Sequence, residues 1–300
     1  MVSGHLVARP NGTYARWMTT RRIGNTDVSP IGLGGMPLSI DGRPDHEQAL
    51  ATVLAAIDAG VTLIDTADSY TMEQDGQGHN ERLIAEALAL RPTEAAGILV
   101  ATKGGLIYKS GGPWQRNGRP EYLRQAAIDS AARLGVESIG LYQFHREDYT
   151  TPYVDSLGAM RDLLDEGLVQ MVGISNAIEE QIVLANEILG GRLVSVQNRF
   201  SPIFRSSRPE LDYCVANGLA FLPWSPLGGI GRGDAVFDSS AFAEVGAELG
   251  VSPQQVALAW ELSLGETVIP IPGASRPASI EDSAKAADLE LSAEQLARLG

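Results

Sequence analysis

Eight short apolar runs, each followed by a loop or an amphipathic stretch of helical length, constrain this chain more than any other feature. The runs are Ile31–Gly35, Val61–Asp65, Ile98–Lys103, Ser138–His145, Val169–Ile174, Leu193–Gln197, Leu219–Trp224 and Val268–Ile271. Each has the length and near-continuous apolar character of a parallel strand buried on both faces. Between them Asp45–Ala59, Asn80–Ala89, Pro120–Leu134, Pro152–Glu166, Ile178–Leu189, Pro209–Ala216 and Pro253–Leu264 read as helices. Gly60, Gly135, Gly167, Gly190 and Gly218 stand just past helical stretches, where a left-handed residue ends a helix; Asp45 and Ser252 are placed as N-caps. Eight such units over roughly 250 residues predict an α/β fold, a (β/α)8 TIM barrel. Arg21 to Ile31 predicts a short N-terminal β-hairpin turning at Gly24-Asn25. The rival, a doubly wound sheet, needs a glycine fingerprint after its first strand. Gly32-Leu33-Gly34-Gly35-Met36-Pro37 puts a proline where the third glycine belongs. Residues 18–300 are expected to form a single barrel domain and residues 1–17 a flexible tail.

Hydrophobic residues make up 44 % of the 300, enough for a large core, and the formal net charge is −14. That charge disfavours non-specific binding to nucleic acid or to an anionic membrane, but leaves room for an anionic cofactor held by a helix N-terminus and an arginine. Cys214 is the only cysteine, so an intrachain disulfide is excluded and a reducing, cytoplasmic setting is expected. It lies in a helical stretch and reads as packing. No apolar stretch approaches the roughly 20 residues that span a bilayer. Nothing in the pattern sets an oligomeric state.

Three of the apolar runs end on Asp65, Lys103 and His145, and Tyr70 follows Asp65 by five residues in the loop leaving its strand. Each alone has a bland explanation as a loop cap, a solvated charge or a rim residue. Together they place a carboxylate, a phenol, an ammonium and an imidazole at the carboxyl ends of successive strands, where a barrel carries its active site. An ammonium beside a phenol favours the phenolate and lowers a pKa of roughly 10; a carboxylate keeps the ammonium charged; an imidazole shares in proton transfer. Such a set suits proton donation to an oxygen that gains negative charge, of which carbonyl reduction by hydride is one case. A metal site is the weaker alternative, because His145 lacks a second ligand at suitable spacing and His79 belongs to another loop. No Gly-x-Ser-x-Gly elbow supports a serine hydrolase.

From Arg21 onward the chain resembles the aldo-keto reductases. The matching segments are Leu63-Ile64-Asp65-Thr66-Ala67-Asp68-Ser69-Tyr70, Ala101-Thr102-Lys103-Gly104-Gly105, Gln143-Phe144-His145-Arg146, Gly173-Ile174-Ser175-Asn176, Val196-Gln197-Asn198, Trp224-Ser225-Pro226-Leu227-Gly228 and Ile269-Pro270-Ile271-Pro272-Gly273-Ala274-Ser275. The resemblance implies a (β/α)8 barrel that uses NADP(H), less often NAD(H), to reduce aldehyde or ketone carbonyls. It implies Tyr70 as general acid, Lys103 as the group lowering its pKa, Asp65 as the partner of Lys103, and His145 as the group orienting the carbonyl. Ser175, Asn176 and Gln197 are implied to hold the nicotinamide carboxamide and Trp224 to stack on the ring. The glycine-rich loop with Ser225, Leu227, Gly228 and Gly231 is expected under the pyrophosphate. Ser275 and Arg276 are expected at the adenosine end, where Arg276 would pair with a 2′-phosphate and favour NADPH. Many relatives carry further basic residues there, whereas this chain has Gly273 and Ser279. Asp282 is placed either against the adenine or in solvent. Met36, Tyr108 and Trp114 are the expected walls of a small-molecule substrate pocket, and Lys109 to Gly118 is expected to be mobile. The alternative to a reductase is a nicotinamide-cofactor-binding regulatory or interaction protein of the same fold with little turnover.

Overall fold

The computed structural model describes residues 20–109, 114–229, 237 and 240–300. The expected tail and Ser110–Pro113 of the expected mobile run lie outside them. A hairpin of β1 (Arg21–Ile23) and β2 (Thr26–Val28) turns at Gly24-Asn25, with Gly24 at φ +57°. Then follow β3 (Leu33–Gly34), α1 (His46–Asp58), β4 (Leu63–Asp65), α2 (His79–Ala89), α3 (Pro92–Ala95), β5 (Leu99–Gly104), and a small antiparallel pair, β6 (Leu106–Ile107) with β7 (Gln115–Arg116). The chain continues through α4 (Pro120–Leu134), β8 (Ile139–Phe144), α5 (Tyr153–Asp165), β9 (Val169–Ser175), α6 (Glu179–Ile188), β10 (Leu193–Gln197), α7 (Arg208–Asn217) and β11 (Ala220–Phe221). It ends with α8 (Ala241–Leu249), α9 (Pro253–Ser263), α10 (Pro277–Ala284) and α11 (Ala293–Leu299).

Seven strands form one parallel sheet in the order β3-β4-β5-β8-β9-β10-β11. The eighth run closes it into the (β/α)8 barrel, although only isolated bridges form there, Phe221 with Val268 and Gly34 with Gly273. The reason is Pro270 and Pro272. Ile269 N–H and Ile271 N–H donate to Phe221 O and Pro223 O on one side. On the other side the proline nitrogens have no hydrogen, and only Gly32 N–H and Gly34 N–H can donate, to Pro270 O and Pro272 O at 2.9 Å each. The seam is tight: a Cβ on Gly34 would lie 2.7 Å from Ile271 O, so the first strand needs glycine there.

Side-chain alternation divides the strands into two faces. Ile64, Tyr142 and Phe144 point out and pack under the helices, whereas Leu63, Leu99, Ala101, Leu141, Met171, Leu222 and Ile269 fill the barrel interior together with Ile23 and Val28 of the hairpin. The hairpin therefore plugs the end where the strands begin, with Arg21 donating to the carbonyls of Leu262, Gly265 and Val268. The opposite, carboxyl end is left for a site. The predicted cap at Asp45 accepts from Gln48 N–H, and the one at Ser252 accepts from Gln255 N–H. All five predicted helix-ending glycines have positive φ. Cys214 is buried, and burial pushes its thiol up to about 12, in keeping with a packing role.

One core group conflicts with its surroundings. Glu261 in α9 is fully buried, and neither carboxylate oxygen has a partner among the described residues. Burial raises its pKa well above the ordinary value, so folding keeps it protonated. A carboxyl whose folded pKa is raised loses stability as pH climbs from its unfolded value, about 4.3, toward the folded one. Glu261→Leu is therefore expected to stabilise the protein by about 1–3 kcal/mol at pH 7 in urea unfolding, with a smaller gain at pH 5.

Candidate active site

Alternation also decides which polar groups reach the barrel mouth. Asp65 is two residues beyond inward Leu63, Lys103 two beyond Ala101, Gln143 and His145 two and four beyond Leu141, Ser175 four beyond Met171, and Trp224 two beyond Leu222. Lys103 is completely buried, and its Nζ donates to Asp65 Oδ2 at 2.7 Å, Thr66 O at 2.8 Å and Tyr70 Oη at 3.0 Å. Those three bonds use every hydrogen of the ammonium. Tyr70 Oη is consequently an acceptor toward Lys103, and its own hydrogen remains free to point elsewhere. The rings of Tyr70 and His145 meet edge-to-face at 5.8 Å between centroids.

Asp65 is anchored on its other oxygen. Gln197 Nε2 donates to Oδ1 at 2.7 Å and Gln143 Nε2 at 3.4 Å. The loop carrying Tyr70 is pinned by Asn80, which accepts from Thr66 Oγ1 and donates to Gly35 O. Behind Lys103, outward Thr102 donates to Glu81 at 2.5 Å, and Glu81 is paired with Arg133 at 2.6 Å. This buried bridge ties β5 to α2 and α4.

Burial pushes the Tyr70 phenol above its ordinary value, against the opposing pull of the Lys103 charge. The direction is opposite to that expected from the ammonium alone, because desolvation of the phenolate outweighs it. Burial works against the charge of Lys103, but Asp65 and Tyr70 more than compensate and hold the ammonium above its ordinary value. His145 is held well below the ordinary imidazole value by burial, then by the charges of Lys103 and Arg146, and is neutral.

These groups open on a cavity of about 1060 Å³. Its wall includes Asp65, Tyr70 and His145, together with Met36 and Trp114. Trp224, with Ser225 and Leu227 of the following loop, and Ser275, Arg276 and Asp282 also line it. Gly228 lies in the same loop, and Gly231 is outside the described residues. Tyr108 is not on the cavity wall; it packs edge-on behind Trp114, whose ring is 6.3 Å from that of Tyr70. Within the Lys109–Gly118 run, Gln115 and Arg116 form β7.

The three residues expected at the carboxamide are engaged with one another. Ser175 Oγ donates to Gln197 O, Asn176 Nδ2 donates to Ser175 Oγ and to His145 O, and Asn176 Oδ1 accepts from Arg146. Gln197 Nε2 donates to Asp65 Oδ1 and, at 3.5 Å, to Gln143 Oε1, which leaves the side-chain oxygen of Gln197 for another contact. Asn176 and Ser225 have φ of +58° and +54°, the non-glycine residues with positive φ among those described, and both line the cavity. Strain of this kind concentrates at sites that hold ligands. Buried Trp224 Nε1 and His145 Nδ1 have no partner among the described residues. Asp282 accepts from Ser252 Oγ and Gln255 Nε2 at 2.6 Å each, so it fastens α10 to α9 instead of standing in solvent. Arg276 is exposed, with Nε donating to Ser279 Oγ at 2.9 Å.

Residues 30–300 match the profile of the Aldo/keto reductase family. The chain belongs to the aldo/keto reductase family. An uncharacterized oxidoreductase of Schizosaccharomyces pombe is 35 % identical over 286 residues, covering 93 % of this chain and 88 % of the relative. The 6-dehydroglucose reductase of Novosphingobium aromaticivorans is 35 % identical over 280 residues, 89 % of each chain. An aldo/keto reductase from Klebsiella pneumoniae, crystallised with NADP and acetate, superposes with a TM-score of 0.78 at 26 % identity, over 94 % of both chains. Among the described residues of this family member, no helix is long and apolar enough to cross a membrane, and no His/Cys/Asp/Glu cluster could hold a metal ion.

Asp65→Asn should leave the Lys103 charge buried and unpaired, lowering stability by about 3–5 kcal/mol in urea unfolding at pH 7. The sign with pH follows from the raised Lys103 value. Its contribution is complete below the unfolded value of about 10.4 and is lost as pH rises through the folded one. In the variant the uncompensated burial lowers Lys103 instead, so the difference should shrink as pH rises from 7 toward the unfolded value.

Proposed function

We propose that this aldo/keto reductase reduces small aldehyde or ketone carbonyls to alcohols with Tyr70 as proton donor. The observation that carries this is the saturated Lys103 ammonium, which directs the Tyr70 phenolic hydrogen away from itself at the wall of the cavity. In the reducing direction Tyr70 Oη–H gives its proton to the carbonyl oxygen as that oxygen gains negative charge. Lys103 stabilises the phenolate left behind, and Asp65 keeps Lys103 charged and aimed. Neutral His145 orients the carbonyl and shares its oxygen with Tyr70. A nicotinamide cofactor, when bound, supplies the hydride. In the alcohol-oxidising direction the same phenol takes the proton back.

Strained Asn176 and Ser225, unpartnered Trp224 Nε1 and a cavity of about 1060 Å³ whose wall includes both Tyr70 and Arg276 fit a dinucleotide. Ser175, Asn176 and the Gln197 carbonyl would hold its carboxamide, Trp224 its ring, and Ser225, Leu227 and Gly228 its phosphates. Ser275 and exposed Arg276, at the start of α10, would meet the adenosine end and favour a 2′-phosphate. Residues 18–300 would work as one reductase domain, and the single cysteine fits work in the cytoplasm.

NADPH consumption with a panel of aryl aldehydes tests this. Wild type should turn over, and Tyr70→Phe should lose at least about 100-fold in kcat while NADPH still quenches protein fluorescence. NADPH binding without turnover of any carbonyl would favour the regulatory alternative. Arg276→Ala should weaken NADPH binding by about tenfold and leave NADH nearly unaffected; equal losses would remove the 2′-phosphate role.

A further inference from the structure

Besides Arg276, two guanidinium groups on the cavity wall have no acidic partner among the described residues. Arg116 leaves β7 two residues after Trp114, and Arg146 follows His145; both line the cavity. Arg116 donates to Glu147 O at 3.2 Å and lies 4.6 Å over the Tyr149 ring. Arg146 donates to Asn176 Oδ1 at 2.8 Å. Neither is in an ion pair among the described residues.

Nearby carboxylates are committed elsewhere. Glu147 Oε2 accepts from Gln181 Nε2 at 2.7 Å. Asp148 accepts from Gly118 N–H, Thr150 N–H, Thr150 Oγ1 and Thr151 Oγ1, and these bonds overcome its burial to hold it at about 2. The two arginines also feel each other: burial, then the charge of Arg116, lowers Arg146 from its ordinary value. Two like charges brought together without a counter-charge cost free energy, and in a chain of net charge −14 acidic side chains were available to neutralise them.

Both arginines stand on segments that also carry residues around Tyr70: Arg116 follows Trp114, whose ring is 6.3 Å from that of Tyr70, and Arg146 follows His145, whose ring is 5.8 Å from it. We infer that Arg116 and Arg146 form a carboxylate-binding subsite, and that the substrate is an aldehyde or ketone that also bears a carboxylate. A planar guanidinium presents paired N–H donors that match a carboxylate, so an oxo acid would be held by its acid group while its carbonyl meets Tyr70. Arg116 has the freer donors, and Arg146, anchored on Asn176, sets the position of the second charge. This assignment rests on the reductase reading for the carbonyl, but not for the anion.

The test uses NADPH-loaded protein as wild type, Arg116→Gln and Arg116→Lys. Calorimetry compares benzoate with its neutral isostere benzamide, and kinetics compare 4-carboxybenzaldehyde with methyl 4-formylbenzoate. In wild type benzoate should bind about tenfold tighter than benzamide, and kcat/KM should favour the acid over the ester by a similar factor. Arg116→Gln should bring both ratios close to one, and Arg116→Lys should restore part of each. Equal binding of benzoate and benzamide by wild type, or a preference that survives Arg116→Gln, would overturn the inference. Arginine-dependent selection of benzoate with no turnover of either aldehyde would support the anion subsite and overturn the reductase reading instead.

Discussion

The ammonium of Lys103 has three hydrogens, and the barrel supplies three acceptors for them: Asp65, Thr66 O and Tyr70. A lysine with no exposure survives folding only because all three are met and one of them is a carboxylate at 2.7 Å. The saturation has a directional consequence. Tyr70 has to accept from Lys103, so its own proton is available to something in the cavity. Much of the surrounding architecture serves this arrangement. Gln197 and Gln143 hold the second oxygen of Asp65, Asn80 holds the loop between Asp65 and Tyr70, and the Glu81–Arg133 pair holds the strand that carries Lys103.

The same barrel interior supplies opposing electrostatic effects. Burial keeps Tyr70 protonated and His145 neutral, which are the forms a proton donor and a carbonyl-orienting group need. The nearby ammonium makes the phenolate less costly once the proton has left. Donor strength thus comes from stabilising the product of proton transfer, without ionising the resting phenol. On the cavity wall the balance differs: Arg116 and Arg146 have no acidic partner among the described residues, while Glu147 accepts from an amide and Asp148 from backbone N–H groups.

Much of the barrel was legible from period and punctuation. The runs ending at Asp65, Lys103 and His145 became β4, β5 and β8 within a residue or two, and helix caps at Asp45 and Ser252 formed as placed. The eighth strand is irregular because Pro270 and Pro272 remove ladder donors, a backbone effect that an apolar pattern does not register. Helix α8 was missed because no apolar run directly precedes it in the sequence. Within the site, the strand-end residues could be placed from alternation. Partner choice could not: Gln197 reaches Asp65 from 132 positions away, and Tyr108 falls behind Trp114 through the fold of a short hairpin. Nor could the net direction at Tyr70, since adjacency to Lys103 suggests the charge and conceals the burial that outweighs it. Arg116 and Arg146 were visible as charges, but their lack of acidic partners is a property of the folded mouth.

The most direct measurement is the pH dependence of kcat for aldehyde reduction in wild type and in the double variant Asp65→Asn/Lys103→Met, which removes both buried charges together. If Lys103 governs the Tyr70 proton, the alkaline limb of the profile should move to higher pH in the double variant and the plateau should fall, because the phenolate has lost the ammonium that stabilises it. An alkaline limb that stays where it is in wild type, at an undiminished rate, would contradict the account.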